Sequence, residues 1–162
     1  MQRRSIEKVD IPRKVLQSAK IAIVTSEFNL SITENLEKHC LAVLLANGIK
    51  KNQIDIFRVP GSLEIPITAQ GLAQKKKATV IVALGAIIKG ETYHFELVAS
   101  QCARGCMDVS LKYNVPIIYE VLATYNMAQA KKRAGNDRNN KGREAAITAL
   151  RMLSTISQIG GK

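Results

Sequence analysis

The chain has 162 residues, 46% of them hydrophobic, which is enough to bury a core and fits one domain of ordinary size. Lys and Arg number 24 against 13 Asp and Glu, a formal charge of +11, but only 4% of residues are aromatic and the basic residues fall in short groups such as Lys75-Lys76-Lys77 and Lys131-Lys132-Arg133. This distribution argues against a nucleic-acid surface, and the charge reads instead as a solvated basic face or an attraction for small anions.

Residues 1–19 carry Arg3, Arg4, Lys8, Arg13 and Lys14 with no apolar run of leader length, and are expected to form an N-terminal arm. Residues 21–25 are apolar and read as a strand. Ser31-Ile32-Thr33-Glu34 then has the pattern of a capping box opening a helix, with Leu36, Cys40, Val43 and Leu44 facing a sheet and Asn47-Gly48 as its stop. A second strand covers 54–59 and is broken by Pro60-Gly61, and Pro66 suits the first turn of a helix running to about Gln74. A third strand at 79–88 is apolar enough to be covered on both faces. Gly90 is placed to free a sharp turn, Thr92 to cap the next helix, and Phe95, Val98, Cys102, Cys106 and Val109 recur at helical spacing toward Tyr113. Residues 117–122 give a fourth strand, Asn126 caps a short helix to Arg133, and a last helix spans roughly 142–158. Strands and helices in this alternation predict a three-layer flavodoxin-like α/β sandwich, a four-stranded parallel sheet flanked by helices.

Ligands of such sheets bind beyond the carboxyl ends of the strands, and the unusual local sequences here all sit at those ends. Free amides at the start of the helix after Thr92 favour an anion, Lys89 adds charge beside them, and His94 can move protons near neutral pH, although a lone histidine is more often structural. The cysteines are odd in number and lack the companions of a metal shell, so they read as small core residues, and no metal site is expected. His39, mid-helix beside Cys40, reads as structural.

Four scattered segments together resemble the 6,7-dimethyl-8-ribityllumazine synthases of riboflavin biosynthesis. Glu27-Phe28-Asn29 is similar to that family's Arg-Phe-Asn loop, and Val59-Pro60-Gly61-Ser62-Leu63-Glu64-Ile65-Pro66 to its Val-Pro-Gly-Ala/Ser-Phe/Leu-Glu-Ile-Pro segment. Residues 85–94 resemble Gly-Xaa-Val/Ile-Ile-Arg/Lys-Gly-Xaa-Thr-Xaa-His, and Gln129 to Gly135 with Asn140-Lys141-Gly142 resemble Gln-Ala-Xaa-Xaa-Arg-Ala-Gly and Asn-Lys-Gly. The resemblance implies one lumazine synthase domain over 1–162. Its reaction is the condensation of 5-amino-6-(D-ribitylamino)uracil with 3,4-dihydroxy-2-butanone 4-phosphate, without metal or organic cofactor. It further implies a homopentamer with active sites between adjacent subunits, in some members stacked as twelve pentamers in an icosahedral capsid, and association with riboflavin synthase. The segment 135–141 lacks the insertion of pentamer-only relatives, which leans toward the shell.

Carried over position by position, the resemblance assigns Phe28 to stacking on the pyrimidine and Ser62, Leu63 and Glu64 to the uracil and its ribityl chain. It gives Ala86, Ile87 and Ile88 backbone contacts to the pyrimidine edge, Glu91 and Thr92 the ketose phosphate, and Tyr119 a further stacking place. Arg133 and Lys141 neutralise phosphate, and His94 is the proton donor or shuttle. By residue type alone Phe28 reads equally as a core aromatic, and Glu64, Arg133 and Lys141 read better as a first-turn acid, a helix-end arginine and a solvated loop lysine. Tyr119 stands where many members carry phenylalanine, so its hydroxyl needs a partner; Glu120, Tyr125 and Lys89 also depart from the pattern. The alternative reading is an inactive flavin- or lumazine-binding assembly protein. A plain flavodoxin-like module fits less well, because Ser26-Glu27-Phe28-Asn29 is a poor phosphate loop.

Overall fold

The computed structural model describes residues 8–160, so the first seven residues of the expected arm, with Arg3 and Arg4, lie outside the described residues. Inside the described part of that arm, Arg13–Ser18 (α1) is helical, opened by Pro12, which the sequence reading left unassigned. The chain continues as β1 (Ile21–Ser26), α2 (Leu30–Ala46), β2 (Ile54–Val59), α3 (Ile65–Gln74), β3 (Val80–Ile88), α4 (His94–Tyr113), β4 (Ile117–Thr124), α5 (Met127–Arg133) and α6 (Lys141–Gly160). All strand pairs are parallel and the order is β2-β1-β3-β4, which confirms the flavodoxin-like sandwich.

The two faces of the sheet follow the alternation of side chains along each strand. Ile21, Ile23, Val80, Val82 and Leu84 pack with α2 and α6, while Ala22, Val24, Ile81 and Ala83 pack with α3 and α4. The helices of each face approach closely through one glycine. A Cβ at Gly142 of α6 would lie 2.0 Å from the Leu36 carbonyl oxygen of α2, and one at Gly105 of α4 would lie 2.8 Å from Pro66 Cβ of α3. Cys40, Cys102 and Cys106 are free and buried, as the sequence reading held.

Two expected caps do not form. The α2 helix starts one residue before Ser31, after Asn29 in a left-handed conformation (φ 59°), and Asn29 makes no side-chain cap bond. Asn tolerates that conformation, and its amide is used elsewhere. Likewise α4 starts after Tyr93 without a side-chain cap, so Thr92 does not cap it, and Gly90 does not adopt a positive φ. Asn126 does cap α5, its side chain accepting from the Gln129 amide at 2.9 Å. Gly48 (φ 92°) closes α2 as read. At α6 the buried Asn140 side chain accepts from Gly142 N at 2.8 Å and donates to the Gly135 carbonyl at 2.8 Å, which brings the helix start forward to Lys141.

Candidate active site

The sheet opens at the carboxyl ends of β1 and β3. Pairing of β1 with β3 stops at Thr25 and Leu84, after which Glu27 N and Phe28 N bond the carbonyls of Val59 and Pro60, so the chain leaves β3 and follows β2. Meanwhile β3 stays paired with β4 as far as Ile88 and Thr124. One edge of residues 86–88 is therefore bare. Peptide groups alternate sides along β3: Val80 N reaches Lys20 on the β1 side, whereas Ile81 N and Lys89 N reach Pro116 and Thr124 on the β4 side. Ala86 and Ile88 thus present their peptides to the opening, and Ile87 spends its own on β4. Asn29 Nδ2 donates to the Ala86 carbonyl at 2.8 Å, a side-chain continuation of the lost ladder across 57 residues.

A cleft of about 380 Å³ fills the opening, large enough for a small heterocycle. Of the predicted residues, Phe28, Ser62, Leu63, Glu64, Ala86, Ile87, Ile88, Thr92 and His94 line it. Gly61, Gly90, Phe95 and Val98 complete the wall, and the helical periodicity of 95 and 98 is the signal that hid them as core. Phe28 is 73% exposed at the rim, so it is not a core aromatic. An exposed ring facing an apolar cleft is suited to stacking on a flat ligand. Glu64 turns its carboxylate back to accept from Gly61 N at 2.8 Å, fixing the turn that Ser62–Glu64 make before α3. The His94 ring opens α4, exposed to the cleft. Lys89 pairs with Glu96 at 3.3 Å and lies 5.6 Å from the centre of the Tyr125 ring, so its charge is shared rather than directed solely at an anion.

Glu91, Tyr119, Arg133 and Lys141 do not line the cleft of this chain. Arg133 donates to the Gln129 carbonyl at its own helix end, and Lys141 pairs with Glu144 at 2.6 Å. Tyr119 is half-buried in the middle of β4, packed toward α4. His39 contacts Asn136 Oδ1 at 3.1 Å, joining α2 to the loop before α6.

Glu120, on the opposite face of β4 from Tyr119, is half-buried beside Lys141 and Glu144. Burial pushes its carboxyl from 4.5 up to about 7, Lys141 opposes the rise, and Glu144 adds to it. The folded state therefore holds this proton more tightly than the unfolded chain, a stabilisation complete below 4.5 and lost as pH rises through about 7. At one pKa unit per ~1.4 kcal/mol, and with the group partly solvated, Glu120→Gln should gain about 1–3 kcal/mol over the natural chain near pH ~8 and almost nothing near pH ~4. Denaturant midpoints at the two pH values check this; equal gains at both would contradict it.

A family model described as 6,7-dimethyl-8-ribityllumazine synthase matches residues 18–157. Two proteins named 6,7-dimethyl-8-ribityllumazine synthase, from Coxiella burnetii strains CbuG_Q212 and RSA 493 / Nine Mile phase I, are each 44% identical to this chain over 142 residues. The alignment covers 88% of this chain and 94% of each relative.

Proposed function

The chain belongs to the 6,7-dimethyl-8-ribityllumazine synthase family, and from that premise we propose that it condenses 5-amino-6-(D-ribitylamino)uracil with 3,4-dihydroxy-2-butanone 4-phosphate, releasing phosphate and water. The observation that carries the substrate assignment is the bare edge of β3. Both peptide groups of Ile88 lie beyond the last β1 pair and face the cleft, an arrangement that suits the donor and acceptor of a pyrimidine edge. In this reading Phe28 covers the ring, and the turn carrying Ser62, Leu63 and Glu64 holds the ribityl chain.

Thr92 and the first amides of α4 take the phosphate, with Glu91 beside them in the same loop. His94 then lies between the anion and the pyrimidine amine, where imine formation, loss of phosphate and ring closure each require a proton to be moved.

The remaining assigned residues enter from a neighbouring subunit. Tyr119, Arg133 and Lys141 of one chain complete the cleft of the next, which accounts for their distance from the cleft in their own chain and supports a homopentamer. The short 135–141 segment favours the further stacking of pentamers into a capsid. Three free, buried cysteines accord with cytoplasmic residence, and no helix among the described residues is long and apolar enough to cross a membrane. Riboflavin synthase, which acts on the lumazine product, is the matching partner.

The reading is tested by mixing the purified protein with both substrates and following lumazine absorbance together with phosphate release. Binding of lumazine without turnover would identify an inactive scaffold instead. Arg133→Ala should raise KM for the ketose phosphate by about 10- to 100-fold, the worth of a hydrogen bond to a charged group. Mixing Arg133→Ala subunits with His94→Ala subunits should recover activity above either parent, since some hybrid clefts then hold both natural residues. Absence of recovery after confirmed subunit exchange would rule out the shared cleft.

A further inference from the structure

The Ser62 carbonyl lies where the start of a helix lacks a donor. Ser62 opens the turn that runs into α3, and its carbonyl accepts from Ile65 N, as the single 3₁₀ turn Ser62–Glu64 requires. The donor that α-helical continuation would bring next belongs to the residue after Ile65, and that residue is Pro66, which has no N–H. Cys102 of α4 supplies one instead. Its thiol, fully buried, donates to the Ser62 carbonyl at 3.0 Å.

The same proline is where the two helices meet. A Cβ at Gly105, one turn beyond Cys102 on α4, would lie 2.8 Å from Pro66 Cβ and 2.9 Å from its Cγ, so the missing side chain lets α4 pass close enough for the thiol to reach the turn. Three attachments then fix that turn. Glu64 accepts from Gly61 N at 2.8 Å, the Ser62 hydroxyl lies against Gly85 of β3, where a Cβ would stand 2.9 Å from its oxygen, and Cys102 holds the Ser62 carbonyl. Of these three only the last runs to α4, the helix that begins with His94. Because Cys102 is 0% exposed, the thiol meets no ligand itself and acts only on the position of the turn.

We propose that Cys102 is a positioning residue, which ties the Ser62–Glu64 turn to the helix carrying His94 and so sets the affinity for the ribitylated heterocycle that the turn contacts. The proposal rests on the function read above. It adds to the site a side chain that the family resemblance does not assign and that, from sequence, reads only as a small core residue.

Cys102→Ser, Cys102→Ala and Cys102→Val test it, by steady-state kinetics with each substrate varied in turn and by fluorescence titration with 6,7-dimethyl-8-ribityllumazine, which needs no turnover. Serine keeps a donor for the Ser62 carbonyl, alanine removes donor and volume together, and valine removes the donor while still filling the space. The alanine and valine variants are expected to raise KM for the ribitylaminouracil and Kd for the lumazine about three- to tenfold, with kcat within about twofold and KM for the ketose phosphate unmoved. Cys102→Ser should stay within about twofold of the natural protein in every constant. If the branched valine does not fold, the contrast between Cys102→Ala and Cys102→Ser still decides. Equal constants for those two variants overturn the positioning role, as does a loss of thermal stability in Cys102→Ala with KM and Kd unchanged. Failure of the function itself reads differently: the natural protein would then form no lumazine, while the titration would still report whether the turn depends on Cys102.

Discussion

His94→Ala is expected to lower kcat by about 100-fold or more while both KM values move less than about threefold, the signature of a lost proton-transfer group rather than a lost binding surface. A factor of 100 corresponds to about 2.7 kcal/mol of transition-state stabilisation, within the ordinary range for one general acid or base. The geometry supports a selective effect. His94 is exposed at the cleft as the first residue of α4, so its removal leaves no cavity in either core. The residues proposed for recognition along the cleft, Phe28, Ala86, Ile88 and Thr92, are untouched by the substitution. Single-turnover formation of lumazine, with both substrates saturating, reads the chemical step directly. An unchanged single-turnover rate would remove His94 from the mechanism.

The largest effect on folding is expected from Gly142→Ala. By helix propensity alone this change should help, by about 1 kcal/mol. Packing reverses the sign. The new Cβ would stand 2.0 Å from the Leu36 carbonyl oxygen, 2.7 Å from its carbon and 2.9 Å from its Cα, all main-chain atoms of α2 that no rotamer change can move aside. Relief requires α2 and α6 to separate, unpacking Leu36, Leu44, Ala145, Ala149 and Leu150 in the core on that side of the sheet. A loss of about 4 kcal/mol or more is expected, a large share of a typical domain's 5–15 kcal/mol, with low soluble yield as the first sign. Gly71→Ala supplies the contrast. Gly71 also lies within a helix, α3, but nothing stands within 4 Å of its Cβ position, so there the propensity term acts unopposed and a gain of about 0.5–1 kcal/mol is expected. Urea denaturation of the two variants beside the natural protein checks both signs, and equal midpoints for Gly142→Ala and the natural chain would refute the close-crossing argument.

Local sequence was sufficient for the order and nature of the elements. The strand of residues 54–59 and the helix ending at Gln74 have the boundaries read from periodicity and from Pro60, Gly61 and Pro66, and Gly48 and Asn126 act at helix ends as their chemistry dictates. These signals work because helix and turn energetics depend on residues at most four or five positions apart, all visible in one window of sequence. The same window misled at Ser31 and Thr92, where a good capping pattern had no tertiary support. The Asn29 amide went instead to Ala86, and α4 begins after Tyr93, one residue past Thr92, without a side-chain cap. Arg13–Ser18 was missed for the opposite reason: a six-residue helix is too short to show a period, and it is held by the Gln53 side chain donating to the carbonyls of Leu16 and Ala19.

By itself, then, the sequence determined the α/β alternation, the parallel sheet and the set of residues from which a site had to be drawn. Tertiary structure alone decided that β3 outruns β1 and so leaves an unpaired edge, that nine of the assigned residues share one cleft while Glu91, Tyr119, Arg133 and Lys141 do not, and that the Cys102 thiol bonds the Ser62 carbonyl of the cleft turn. The physical reason is distance along the chain. Asn29 bonds a residue 57 positions away and Cys102 one 40 positions away, and no local propensity encodes which of many hydrogen-bonding groups will be neighbours once two sheet faces are packed.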